Sequence, residues 1–262
     1  MTADIPDSLL ERLHSVESIV AFTGAGVSAE SGVPTFRGTD GIWSKFKPEE
    51  LATMSAFLKN PALVWEWYNH RRTIIAGIKP NAGHYALASM QDLVPRFDVV
   101  TQNIDNLHAR AGSRSVYELH GNIERSFCLK CGRSWTNDFA VNTGEAPRCP
   151  DCGGMVRPDV VWFGEMLPED VWGASVKAAA EADLFLSIGT SGVVYPAASL
   201  PLMAKREGAF VVEVNPEATP LTNVADVFLQ GPAGTILPLI ADALARARSK
   251  GDTFHAGNKE SL

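Results

Sequence analysis

Four cysteines, one glycine-rich turn and six histidines hold most of the chemistry open to this chain. Cys128-x₂-Cys131 and Cys149-x₂-Cys152 are separated by 17 residues (132–148). Two such pairs can close a tetrahedral thiolate cage, and the spacing is that of a structural zinc ribbon. Gly132 and Gly153-Gly154 follow the pairs and suit tight knuckle turns. Four thiolates leave a metal no open coordination position, so the expected role is to hold the segment together. A four-cysteine set also suits iron. A nucleic-acid-binding knuckle is a further reading, disfavoured because the charges of the segment are mixed and nearly balanced.

Gly24-Ala25-Gly26-Val27-Ser28-Ala29 follows a β-branched run and fits G-x-G-x-x-A. The first glycine permits a tight turn, and the second lets backbone approach a pyrophosphate. Alone, such a turn is often only a turn. A dehydrogenase would add an acid at the end of a second strand about 20 residues on. Here that region reads Phe36-Arg37-Gly38-Thr39-Asp40-Gly41, a loop, which counts against hydride transfer. Among the histidines, His14 and His255 lie near the termini, and His70 and His84 read as structural. His108 and His120 compete for the role of general base, for which a pKa near 6.5 is suited. His120 stands in Glu118-Leu119-His120-Gly121, after a strand end and just before the cysteine segment, where two domains should meet. A histidine at such a junction is more often structural than catalytic.

The longer string from Gly24 to Gly38, GAGVSAESGVPTFRG, resembles the signature of the sirtuin family, GAGxSxxSGIPxFRG. Thr101-Gln102-Asn103-Ile104-Asp105, His120-Gly121, the cysteine pairs, Gly189-Thr190-Ser191 and Asn215-Pro216-Glu217 follow in the family's order, along essentially the whole chain. The resemblance implies an NAD-dependent lysine deacylase. The acyl-lysine carbonyl oxygen would attack the nicotinamide ribose carbon, and His120 would help take a proton from a ribose hydroxyl. The products would be free lysine, nicotinamide and O-acyl-ADP-ribose, so NAD is consumed. Asn103 joins His120 among the catalytic residues and, with Asp105, matches the nicotinamide pocket. The matched cofactor contacts are Gly24, Ala25, Gly26, Ser28, Ala29 and Glu30 in the turn, and Phe36, Arg37 and Trp43 in a cofactor loop. Gln102, Ile104, Gly189, Thr190 and Ser191 continue the set, with Asn215, Pro216, Glu217 and Ala233 further along. Two other activities stay open: ADP-ribosyl transfer to protein, and NAD-linked oxidoreduction with a structural zinc.

Tyr68 and Arg71 are three apart in a segment read as helical, so they share a face. A phenol beside a guanidinium is a receptor for a carboxylate; the competing reading is an exposed helix face with a surface ion pair. The pair resembles the Tyr-x-x-Arg of the sirtuin branch that removes succinyl and malonyl groups. Ala56 is the small residue expected to leave room for the longer chain. Val161, Phe163, Gly164 and Glu165, with Val193, resemble the two segments that sandwich a substrate peptide as an added strand. An ordinary buried strand over 160–163 is the alternative.

These residues need a scaffold. The 262 residues suffice for one large domain with a smaller insert. Ser18 to Thr23, Phe97 to Thr101, Leu184 to Ile188 and Ala209 to Val214 read as buried strands. Separated by helical stretches, they predict an α/β fold: a Rossmann-like parallel sheet with helices on both faces. Helices are expected over Pro6 to Val16, from Asn60-Pro61 onward and over Thr235 to Arg248. The large domain is expected over 1–39, 84–124 and 157–250. A helical part (40–83) and a zinc-binding part (125–156) would make the small domain, and 251–262 a disordered tail. The net charge of −7 disfavours nucleic acid. No apolar run approaches the roughly 20 residues of a membrane span, and Met1-Thr2-Ala3-Asp4 lacks the basic-then-apolar order of a signal peptide. The expectation is a cytoplasmic monomer whose partners are acylated-lysine proteins, with NAD as cosubstrate and one structural zinc.

Overall fold

The computed structural model describes residues 4–35, 48–136 and 146–256. Six strands form a parallel sheet: β1 (Ser18–Thr23), β2 (Arg96–Thr101), β3 (Val116–Glu118), β7 (Leu184–Ile188), β8 (Phe210–Asn215) and β9 (Val227–Gln230). Their order is β3-β2-β1-β7-β8-β9. The chain winds outward one way from β1 and then the other way from β7. That reversal opens a crevice at the carboxyl ends of β1 and β7, where open α/β sheets take their ligands.

Alternation along each strand explains why both faces are covered. Ile19 and Ala21 of β1, with Leu184 and Leu186 of β7, pack in one cluster. It includes Leu9 and Leu13 of α1 (Asp7–Leu13), Leu87 and Met90 of α6 (Ala82–Met90), and Leu237 and Leu244 of α10 (Ala233–Ala256). Val20, Phe22 and Phe185 point the other way, against Ala178 and Ala179 of α8 (Glu169–Ala180) and Leu200 and Ala204 of α9 (Leu200–Arg206). Helix α10 runs through the 251–256 part of the predicted tail; 257–262 lie outside the described residues.

A smaller domain stands over the crevice. Its helices are α3 (Pro48–Leu51), α4 (Met54–Lys59) and α5 (Pro61–Ala76). Asn60 caps α5, its side chain accepting the Leu63 N–H over 3.1 Å. The small antiparallel sheet has the order β5-β4-β6, from β4 (Gly121–Cys128), β5 (Ser134–Thr136) and β6 (Val156–Val160). It reaches beyond 125–156 at both ends. The β4–β6 register breaks between Gly121 and Ser126. There Arg72 of α5 donates to the carbonyls of Ile123 (2.5 Å) and Arg125 (2.8 Å), acceptors on the irregular stretch of β4.

Two buried histidines brace the large domain behind the crevice. Their rings are 4.9 Å apart, His84 on α6 and His108 on α7 (Leu107–Arg110). His84 Nδ1 accepts the Asn81 N–H (3.3 Å), so its Nε2 carries the hydrogen and faces Ser28 Oγ at 3.4 Å. His108 Nε2 lies 2.9 Å from Thr23 Oγ1, which donates its own hydrogen to Thr101 Oγ1. His108 is therefore the donor in that pair. Burial pushes His84 down to about 4, and burial with the neighbouring His84 pushes His108 down to about 3.

Both histidines are neutral in the fold and protonate below about 6.5 in the unfolded chain. Stability is thus intact above about pH 6.5 and falls as pH drops toward 4. Each contributes up to about 1.4 kcal/mol per pH unit. Urea unfolding midpoints between pH 7 and pH 5 should fall accordingly; a flat profile across that window would contradict the burial argument. A second test concerns Gly121, where φ is +78° and an added Cβ would meet the Asp159 carbonyl at 2.2 Å. Gly121→Ala should cost on the order of 2 kcal/mol or more in the same unfolding assay.

Candidate active site

Three glycines set the crevice. Gly24 N–H donates to the Ile188 carbonyl (2.9 Å), Gly26 N–H to that of Gly189 (2.8 Å), and Gly189 N–H to that of Val214 (2.9 Å). A Cβ at Gly24 would stand 2.7 Å from the Gly189 oxygen, and one at Gly26 would stand 2.6 Å from the Gly189 Cα. Gly189 has φ +58° and no room for a side chain beside the Val27 nitrogen. Only residues without Cβ let these strand ends meet. Gln102 Nε2 donates to Thr190 Oγ1 and Asn215 Nδ2 to the Thr190 carbonyl, each over 3.0 Å. The result is a cleft of about 680 Å³, within the ligand-site range of about 300–1,000 Å³.

The cleft gathers most of the predicted positions. Gly24, Ala25, Gly26, Ala29 and Glu30 line it from the turn, and Gln102, Asn103 and Ile104 from the end of β2. Gly189, Thr190 and Ser191 follow β7, and Asn215, Pro216 and Glu217 follow β8. Glu30 is tied to the start of α10, accepting the Gly234 N–H at 2.5 Å. Ser28 and Asp105 lie beneath the wall. Ser28 Oγ donates to Asp105 Oδ2 (2.7 Å), and Asn103 Nδ2 donates to the Gly24 carbonyl (3.1 Å) and to Ser28 Oγ (3.2 Å). Burial pushes the Asp105 carboxyl up, against the hydrogen bonds from Leu107 and Ser28 and the charge of Arg71. Ala233 is buried at the start of α10, and its neighbour Pro232 lines the cleft instead. Phe36, Arg37 and Trp43 lie outside the described residues.

His120 faces the cleft at the domain junction. Its Nδ1 is 3.0 Å from the Gln102 carbonyl, which can only accept, so Nδ1 carries the hydrogen. The bare Nε2 is left as the basic atom. Burial lowers the imidazole pKa from its ordinary 6.5, partly offset by the Gln102 bond. The ring is therefore neutral, and able to take a proton, at neutral pH.

Across from the glycine turn, Tyr68 and Arg71 are 1% and 9% exposed. That burial rules out the reading of an exposed helix face. Both line the cleft, with the Arg71 guanidinium over the Trp67 ring at 4.8 Å. Burial raises the Tyr68 pKa, against the nearby charge of Arg71, so the phenol keeps its proton. Burial lowers that of Arg71, opposed by Tyr68 and Asp105. The small residue on this wall is Ala52; the expected Ala56 is not among the lining residues. Ala56 is expected for its size alone, and small size does not reveal the turn between α3 and α4 in which Ala52 lies. Ala52 is pinned there, its carbonyl accepting the Phe163 N–H over 2.9 Å.

Val161, Phe163, Gly164 and Glu165 line the mouth in a non-strand segment after β6. Val193 is 43% exposed, and Val194 beside it is the lining residue. Sequence reasoning also missed Ala218, Thr219 and Pro220, which extend the β8 loop along the cleft. The signal available was their continuity with Asn215-Pro216-Glu217.

The four cysteine sulfurs lie within 4.8 Å of one another. Cys128 and Cys152 are 3.5 Å apart, and Cys131 and Cys149 are 3.7 Å apart, too far for disulfides. Tetrahedral zinc with Zn–S of about 2.3 Å sets sulfurs about 3.8 Å apart, so the set fits the ion. No helix among the described residues is long and apolar enough to cross a membrane.

Comparison with known proteins gives a consistent picture. The profile of the Sir2 family matches residues 24–196. An NAD-dependent protein deacylase 2 of Pyrobaculum aerophilum is 52% identical over 239 residues, covering 91% of this chain and 96% of its own. An NAD-dependent protein deacylase of Aquifex aeolicus is 53% identical over 227 residues, covering 87% and 95%. Among solved structures, a Sir2 homologue in complex with NAD superposes with a TM-score of 0.88 at 44% identity, covering 94% of this chain and 96% of that one. A complex of Sir2 with a p53 peptide and NAD⁺ superposes with a TM-score of 0.79 at 32% identity, covering 94% and 98%.

Proposed function

The chain belongs to the Sir2 family and is an NAD-dependent protein deacylase with a four-cysteine zinc site, and from that premise we propose that it removes succinyl and malonyl as well as acetyl groups from protein lysines. The products are nicotinamide, free lysine and O-acyl-ADP-ribose. The observation that carries the acyl preference is the burial of Tyr68 and Arg71 side by side on the wall of the cleft, next to Ala52. A guanidinium beside a phenol on this wall suits an anionic group at the end of an acyl chain. A carboxylate-tipped acyl chain supplies one, gripped by two parallel N–H bonds from Arg71 and a third from the phenol. Ala52, with a single methyl, leaves length for the chain.

His120 is the proposed general base. Its Nδ1 is committed to the Gln102 carbonyl, which leaves the lone pair of Nε2 free to take the proton of a ribose hydroxyl. Asn103, held on the Gly24 carbonyl, and Asp105 form the nicotinamide pocket. The turn from Gly24 to Glu30, with Gln102, Ile104, the Gly189–Ser191 stretch and the Asn215–Glu217 stretch, holds the rest of NAD; Phe36, Arg37 and Trp43 complete the proposed set. Substrate peptides add as a strand between Val161–Glu165 and Val193, where main-chain pairing favours affinity over sequence selectivity.

One assay tests this reading. Incubation with NAD and succinyl- or acetyl-lysine peptide should release nicotinamide in step with deacylated peptide, and His120→Tyr should abolish turnover with the fold and zinc content kept. Arg71→Met should lower kcat/KM on the succinyl peptide by roughly 1.5–3 kcal/mol, about 10- to 150-fold, well beyond its effect on the acetyl peptide. Equal losses on both peptides remove the carboxylate receptor. Labelling of protein from NAD without peptide turns the reading to ADP-ribosyl transfer.

A further inference from the structure

Trp162 is the residue in the Val161–Glu165 segment that does not face solvent; it is 2% exposed. Its indole Nε1 lies 2.8 Å from the Tyr68 hydroxyl, and Tyr68 is itself 1% exposed. An indole nitrogen can only donate, so the phenol oxygen is the acceptor in this bond. The single hydrogen of that phenol is then left for another acceptor. An ionised carboxylate only accepts. The tip of a succinyl or malonyl group is matched to this arrangement, and the methyl of an acetyl group offers it nothing.

The indole is held on several sides. The Phe57 ring packs at 5.3 Å between centroids. The Arg157 guanidinium lies over the ring at 3.4 Å from its centroid. Arg157, with its side chain 3% exposed, donates to both oxygens of Glu165 (2.5 and 3.0 Å) and to the Val160 carbonyl (2.7 Å). Glu165 in turn accepts the backbone N–H of Trp162 over 2.8 Å. One carboxylate–guanidinium pair thus clasps both the main chain and the ring of Trp162. The Trp67 ring packs edge-on against the phenol at 4.7 Å between centroids, and the Arg71 charge acts on it from nearby.

We propose that Trp162 is a positioning residue for acyl-group choice. Its indole N–H fixes the Tyr68 hydroxyl as a donor toward the acyl carboxylate, and the Arg157–Glu165 pair fixes the indole. The inference rests on the carboxylate receptor proposed above, and the role assigned to Trp162 runs through Tyr68.

The test compares kcat/KM for matched succinyl- and acetyl-lysine peptides with NAD. In Trp162→Phe the succinyl-to-acetyl ratio should fall about five- to tenfold, chiefly through KM on the succinyl peptide. Tyr68→Phe should lower the ratio similarly, and the double variant no further than Tyr68→Phe alone. An unchanged ratio in Trp162→Phe, or an additional fall in the double variant, overturns the proposal. Arg71→Met separates the two layers. If the ratio collapses there but holds in Trp162→Phe, only the role of Trp162 fails; if it holds in Arg71→Met, the carboxylate receptor fails with it. Should Trp162→Phe not fold, the indole N–H resonance of the ¹⁵N-labelled wild-type protein carries the test, assigned by its shift in Tyr68→Phe. Succinyl-lysine peptide should move it more than acetyl-lysine peptide does, and that difference should vanish in Tyr68→Phe. Equal shifts in the wild-type protein overturn the proposal.

Discussion

The contact of backbone on backbone at Gly24, Gly26 and Gly189 is the constraint on which the site depends. With added Cβ atoms only 2.5–2.7 Å from their neighbours, these positions admit no side chain. Their closeness brings the ends of β1 and β7 together at the reversal of strand order. Three polar side chains that line the cleft are tied to that junction: Gln102 and Asn215 both bond Thr190, next to Gly189, and Asn103 bonds the Gly24 carbonyl. A phosphate-bearing ligand meets polar backbone there instead of side-chain bulk.

The opposite wall is built by the small domain, and the two walls share a seam. His120 ends the large-domain run, Gly121 begins β4, and the Val161 N–H returns to the His120 carbonyl over 3.0 Å. The proposed base therefore sits on the seam itself, held by the large domain through Gln102 and by the small domain through Val161. The cysteine cluster is at the far end of the same sheet. Its part in the chemistry is indirect: a metal held there would keep β4 and β6 paired, and those strands deliver His120 and the Trp162 segment to the cleft.

Much of this was legible in the residues. Ser18–Thr23 and Leu184–Ile188 are strands at the bounds their apolar runs suggest, because buried parallel strands read as continuous β-branched stretches. Asn60-Pro61 begins a helix as its capping chemistry requires. The three- and four-residue strands β3 and β9 are too short for any period to show. The acyl wall was half visible. A helical spacing of three puts Tyr68 and Arg71 on one face, but burial of that face, and the inward turn of Ala52, arise from packing between segments far apart in sequence. The bond from Trp162 to Tyr68 joins residues 94 apart, and no local pattern announces it.

The strand order carries a consequence for how the chain is made. β1 is the inner strand beside the reversal, and its neighbour β7 starts only at Leu184. On the ribosome, Ile19 to Thr23 emerges first and can pair with β2 once residue 101 is out, yet its other edge waits for more than half the polypeptide. Until then a β-branched edge with unpaired amides is open to foreign strands. Such long-range pairing makes for slow maturation, and the yield of soluble enzyme in a cell should depend on translation pace and chaperone supply as much as on the stability of the finished fold.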